Sequence, residues 1–166
     1  MTTPIVLPWP LRNGLQAATR ALFDLGDQPS ADFLRPIGEP ALVPPDSISW
    51  RVFKNPLALF IGGVTAVIME LAEPRVRTGV WEHTTFRVDP IRRLRRTGLA
   101  AMVTIYGARS EAEAMIGGVR RMHDRVVGTT PAGQAYRAND PELLNWVQGT
   151  AAYGFLQASH LCAAAL

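Results

Sequence analysis

The sequence predicts an all-α fold, a compact helical bundle, and three observations carry that prediction. Four positions look like helix starts: Asn55 before Pro56, Asp89 before Pro90, Ser110 with Glu113 three residues on, and Asp140 before Pro141. Each places a short polar side chain where it can accept from the orphan N–H groups of a first turn, and proline suits that turn because it has no N–H to waste. The apolar run Pro56 to Met69 is 14 residues long and gives way to Glu70 and Glu73. A membrane span needs about 20 apolar residues, so a helix buried on all sides is the better reading. Strand-like alternation is scarce. Ala101 to Ile105 has some β-propensity, but helix signals flank it.

Taken in order, residues 1–46 form an arm interrupted by Pro4, Pro8, Pro10, Pro29, Pro36, Pro40, Pro44 and Pro45. One short helix fits around Leu15 to Leu25. Trp9, Phe23 and Phe33 supply apolar surface for packing over the body. A helix starts near Asp46 or Ser47. Asn55 caps the apolar helix, in which Gly62 and Gly63 allow another backbone or a flat ligand to approach closely. Pro74 ends it, and Val76 to Phe86 reads as a short helix or turn. Asp89 caps a helix running to about Tyr106, where Gly107 stops it. Ser110 opens the next, to about Val127. Gly128 to Asn139, rich in Gly, Thr and Pro, is a loop, and Asp140-Pro141 begins the last helix.

A chain of 166 residues suits one domain with a real core. With 48% hydrophobic and 19% charged residues it is globular rather than disordered. The formal charge of +3 is a mild basic bias and does not by itself indicate nucleic acid. Cys162 is the sole cysteine, so there is no disulfide framework or thiolate metal cluster. A reducing, cytoplasmic compartment is expected. The start M-T-T-P-I-V-L-P-W-P has no basic region and is broken by proline, unlike a signal peptide.

Two clusters carry candidate chemistry. Ala112, Ile116, Val119, His123 and Val126 fall on one stripe at helical spacing, which turns His123 toward the apolar side. A histidine there is either a buried neutral imidazole with a hydrogen-bond partner or an axial ligand to haem iron. The second cluster is Arg92, Arg93, Arg95, Arg96 and Thr97. Arg93, Arg96, Thr97 and Ala100 share one face, and Arg92 and Arg95 a neighbouring face expected to be solvated. Gly133 and Tyr136 are assigned to structure, as a loop glycine with a positive backbone angle and an inward-packed ring. His83 reads as a surface or capping residue, with a second role as a polar pocket group left open. Trp50, Trp81 and Trp146 are read as core or pocket walls.

The run D-P-I-R-R-L-R-R-T, followed by V-R-R-M-H-D-R-V-V-G and then G-Q-A-Y, resembles the catalytic domain of the MpaB-type oxygenases and rubber oxygenase over about Ser47 to Ala158. That resemblance implies an all-α bundle with a globin-like haem-pocket core and non-covalent haem b, since the chain has no C-x-x-C-H motif. It makes His123 the proximal iron ligand. It also places Arg93 and Thr97, with Arg96, on the pocket side, where arginine pairs with a propionate or orients dioxygen and threonine donates a hydrogen bond. The implied partners are dioxygen and a small apolar substrate, with no nucleic acid and no membrane span. The rubber oxygenase has a lysine where this chain has Arg96, which argues against polyisoprene. Residues 47–166 then form the family domain, with residues 1–46 as its arm. Family members continue past the equivalent of Ala158, so the tail S-H-L-C-A-A-A-L reads as an abbreviated C-terminus, in which His160 and Cys162 have no assigned role.

No nucleophile elbow, P-loop, dinucleotide fingerprint, H-E-x-x-H or di-iron E-x-x-H pair occurs. Two other readings remain beside the oxygenase: a non-catalytic helical binding protein on the same scaffold, and a nucleic-acid module using Arg92 to Arg96. The second lacks the interleaved aromatics that base stacking needs.

Overall fold

The computed structural model describes residues 31–163 together with residues 9, 10, 13 and 14. The expected helix at Leu15 to Leu25 lies outside the described residues. Six helices run between Ile48 and Ala163: α1 (Ile48–Val52), α2 (Pro56–Glu70), α3 (Pro74–His83), α4 (Pro90–Tyr106), α5 (Arg109–His123) and α6 (Pro141–Ala163). A small antiparallel hairpin, β1 (Val127–Thr129) and β2 (Ala135–Arg137), separates α5 from α6. The mostly helical fold expected from the caps is the fold observed.

Local chemistry sets most of the boundaries. Ser47 accepts from Trp50 N, Asn55 from Leu57 N and Ala58 N, Glu73 from Arg75 N, and Asp89 from Arg92 N. Each satisfies a donor that the first turn would otherwise leave bare. Proline occupies the first turn of α2, α3 and α4. The apolar helix therefore ends at Glu70, and Pro74 opens α3 at a bend of 109°. Gly107 stops α4 without a left-handed angle, at φ −67°. Its role is steric, because a Cβ there would sit 2.5 Å from the Val103 carbonyl oxygen.

Two expectations are corrected. Ser110 does not cap α5; the N-cap is Ala108, with no side-chain cap bond of its own. The arm supplies the cap instead. Glu39 accepts from Ser110 N at 2.7 Å and from Ser110 Oγ at 2.9 Å, Pro40 O accepts from Arg109 N, and Ala41 bridges Ala108. The segment read as a plain loop folds into the hairpin, turning at Gly133 with φ 84° as anticipated for that glycine.

The broadest contact is α2 against α6. Small residues line it at intervals of four: Ala58, Gly62 and Ala66 on α2, with Gly154, Ala158 and Cys162 on α6, all buried. Such ridges let two helices approach until backbone meets backbone. A Cβ on Gly62 would lie 2.9 Å from Phe155 Cα, and one on Gly154 would lie 2.8 Å from Gly62 O. Gly62 thus meets another backbone as anticipated, whereas Gly63 faces the Leu94 and Phe155 side chains. Around this pair, Phe53 packs on Phe155, and Trp50 meets Tyr106 edge-on at 4.7 Å while Tyr106 Oη donates to Trp50 O. No single described helix is long and apolar enough to cross a membrane.

The hairpin is anchored on α3 through Tyr136, only 2% exposed. Its hydroxyl donates to Glu82 Oε2 at 2.9 Å and lies 3.3 Å from His83 Nε2. Burial, reinforced by the Glu82 carboxylate, pushes the phenol up to about 12 from an ordinary 10. The folded state therefore holds this proton more tightly than the unfolded chain does. The associated stability is fully present below about pH 10 and is lost as pH rises toward about 12. An alkaline titration followed at the tyrosinate absorbance band is expected to lose its latest-ionising tyrosine in Tyr136→Phe, while Tyr106, also raised by burial, still titrates late. Equal titration in both proteins would contradict this.

Candidate functional site

Two groupings involve the residues singled out in the sequence. The first is a buried ion pair. Asp89 starts α4 and so places Arg93 one turn in, where its Nη2 donates to Glu70 Oε1 at 2.8 Å. Glu70 is the last residue of α2 and only 7% exposed; the Arg93 side chain is 18% exposed. The guanidinium lies 5.8 Å from the centroid of the Phe86 ring, whose other neighbour is Trp81. Trp146 Nε1 donates to the Glu70 carbonyl oxygen at 3.1 Å, tying α6 into the same knot. Arg93 Nη1 is buried without a partner. An unsatisfied buried donor costs about 1–3 kcal/mol, so this nitrogen is a place where an acceptor from outside the chain would be stabilising.

The neighbours of Arg93 are placed differently. Arg92, Arg96 and Thr97 are exposed, and the Thr97 hydroxyl donates to the Arg93 carbonyl oxygen at 3.0 Å. Arg95, expected to be solvated, is half-buried and engaged. The shared face drawn from helical spacing thus dips into the protein at Arg93 and rises to the surface at Arg96 and Thr97.

The second grouping surrounds His123, the last residue of α5. The stripe that carries it is fully buried at Ala112 but 44% exposed at Ile116. Val126 falls beyond the helix. His123 is half-buried and borders a cleft of about 280 Å³ with Asp124, Val127, Arg137, Asn139 and Asp140. Burial pushes the imidazole below its ordinary value, opposed by the neighbouring Asn139 amide and the Asp124 carboxylate. The ring is accordingly neutral at pH 7, the form in which histidine binds metals. Neither Arg93 nor Thr97 borders this cleft. Among the described residues, no group of three or more His, Cys, Asp or Glu side chains is arranged to hold a metal.

Sequence reasoning overlooked Glu70, Phe86 and Asn139. Glu70 had a signal: it continues the Ala58, Gly62, Ala66 series at the same interval and so belongs to the buried face of α2. Phe86 and Asn139 lie between helices and had no periodicity to mark them. His83 ends α3 at the surface and touches Tyr136.

The fold and these groupings define a helical domain with one histidine oriented on a cleft and one arginine locked in a buried pair. Residues 50–165 match the family model described as ER-bound oxygenase mpaB/B'/Rubber oxygenase, catalytic domain, and the chain belongs to that family. No curated protein and no solved structure matches the chain.

Proposed function

We propose that this protein is a haem-dependent oxygenase acting on a small apolar organic molecule, with dioxygen as co-substrate. Membership of an oxygenase catalytic-domain family supports the reaction class. The observation that carries the cofactor reading is the chemistry of the donor at His123: a neutral imidazole, half-buried at the end of α5 and bordering a cleft. Haem b, when bound, supplies the iron chemistry that activates dioxygen.

Each donor taken singly suits that group, although Arg93 does not border the His123 cleft. His123 would ligate it, and the buried Nη1 of Arg93 would donate to an acceptor such as a propionate, with Nη2 held on Glu70. Arg96 and Thr97, exposed beyond Arg93, would act on whatever approaches that face of α4. Haemin titration of the folded chain tests these roles. His123→Ala is expected to abolish uptake without loss of helix, and Arg93→Ala to weaken retention. Arg92→Ala, at an exposed position, is expected to leave it unchanged. Equal losses in the two arginine variants would make the effect a general one of surface charge.

One observation favours a second reading, a non-catalytic binding protein on the same scaffold. Five of the six residues bordering the His123 cleft are polar or charged, Val127 being the exception. That lining suits a small polar ligand better than a macrocycle. A folded wild-type chain that takes up no haemin would select this reading.

A further inference from the structure

We propose that the outward face of the α2–α6 pair is a self-association surface on which a second copy of this chain docks. The two helices run antiparallel. Ala58 packs with Ala158 and Cys162, Gly62 meets Gly154 and Phe155, and Trp146 Nε1 reaches the Glu70 carbonyl oxygen. Their contact has two flanks. On the first, Gly63 faces Leu94 of α4 and the Phe155 ring, which packs on Phe53. Successive helical residues turn by about 100°, so the residues just before Gly62 and Gly154 point to the other flank. These are Ile61 and Tyr153. Two turns along the same lines come Ile68, past Thr65, and Trp146. The four large side chains Ile61, Ile68, Trp146 and Tyr153 are 39%, 67%, 41% and 54% exposed. Among the described elements α2 packs chiefly on α6 and more narrowly on α4, which occupies the first flank, so the second flank stays open.

Charge and area identify the occupant. Neither α2 nor α6 contains a lysine or arginine. Charge enters only at the ends of the face: the Arg75–Glu142 pair lies one turn beyond Trp146, and Lys54 precedes the α2 cap. An apolar, partly aromatic centre inside a polar rim is the make-up of a protein–protein interface. The chain carries a formal charge of +3, so two copies that meet through the arginine-bearing helices α4 and α5 repel. Two copies that meet through this uncharged face do not, and a two-fold pairing sets it against itself. A helical surface that settles on lipid characteristically places lysine or arginine beside its apolar stripe, which this face lacks. The helices are 15 and 23 residues long. At about 1.5 Å per residue and about 8–10 Å between axes, the face offers on the order of 600 Å². A symmetric pair then buries about 1,200 Å², the lower end of the range for stable, specific interfaces.

Sedimentation equilibrium of the full chain over a range of micromolar concentrations tests this without haemin. The wild-type chain is expected to show a reversible equilibrium of monomer and dimer. Ile68→Lys places an unpaired charge in the interface twice, once from each copy. It is expected to weaken self-association about 100-fold or more, with helix content preserved. Tyr153→Lys, on the facing helix, is expected to do the same and serves as the second variant should the first fail to fold. Leu34→Lys, at an 83% exposed position in the arm, adds the same charge away from the face and is expected to leave the equilibrium unchanged.

A wild-type chain that is monomeric at every concentration overturns the inference. So does a dimer that survives both lysine variants on the face, or one that Leu34→Lys dissolves equally well. Co-sedimentation with phosphatidylcholine vesicles covers the other occupant. A monomeric chain that binds those vesicles, and loses them in Ile68→Lys, gives the face to lipid and overturns the inference as well.

Discussion

Glu70→Ala is expected to destabilise the fold by about 3–5 kcal/mol, because it strands a buried cation. In the native chain Arg93 has one nitrogen on Glu70 Oε1 and a second buried with no partner. Removing the carboxylate leaves both without a strong acceptor, on the face of Phe86. Arg93→Ala should cost a similar amount by leaving the Glu70 carboxylate buried alone. Arg92→Ala, one residue away and exposed, should stay within about 0.5 kcal/mol. Replacing both partners by well-packed apolar residues should cost far less than either single loss, since a buried pair contributes little net stability over such residues. Denaturant midpoints at constant slope are the measurement. A loss below about 1 kcal/mol for both single variants would mean that the pair is open to water and does not tie α2 to α4.

Gly62→Ala is expected to destabilise by about 1–3 kcal/mol, the usual range for overpacking, despite the better helix propensity of alanine. The added methyl would sit 2.9 Å from Phe155 Cα and 3.2 Å from Gly154 O, positions fixed by the facing helix. Its close approach to Phe155 Cδ1 could be relieved by turning the ring, whereas the backbone contacts require α6 to move. Gly63→Ala is the internal control. The nearest atom to a Cβ there is Leu94 Cδ1 at 3.6 Å, an ordinary contact. That substitution should be neutral or stabilising by up to about 1 kcal/mol, since glycine in mid-helix is costly. Similar effects at the two positions would place the α2–α6 crossing elsewhere.

The parts of this fold that were legible in the sequence are those determined over one or two helical turns. Asn55 and Asp89 cap the helices they appear to cap, because the donor and acceptor lie within three residues of each other. Ser110 misled for the opposite reason. Its partner, Glu39, is 71 positions away in the arm, and no local pattern reports a cap delivered across such a distance. The hairpin was missed because its strands have three residues each, too few to display alternation, within a glycine- and proline-rich stretch.

The site was legible to a similar degree. Arg93 and His123 stand out by type and spacing, but Glu70, which holds Arg93, and Asn139, which borders the cleft beside His123, come from other elements. Glu70 looked like the polar end of an apolar helix, although its interval from Ala66 marked it as buried. The outward turn of Ile116, Arg96 and Thr97 follows from how α4 and α5 pack, which helical spacing alone does not specify.

The most direct test of the central claim is the absorption spectrum of the full chain reconstituted with haemin and freed of excess. The oxygenase reading predicts a Soret band that persists through desalting in the wild-type chain and is absent from an equally helical His123→Ala chain. A folded wild-type chain without that band, or a band unchanged by loss of His123, would contradict it.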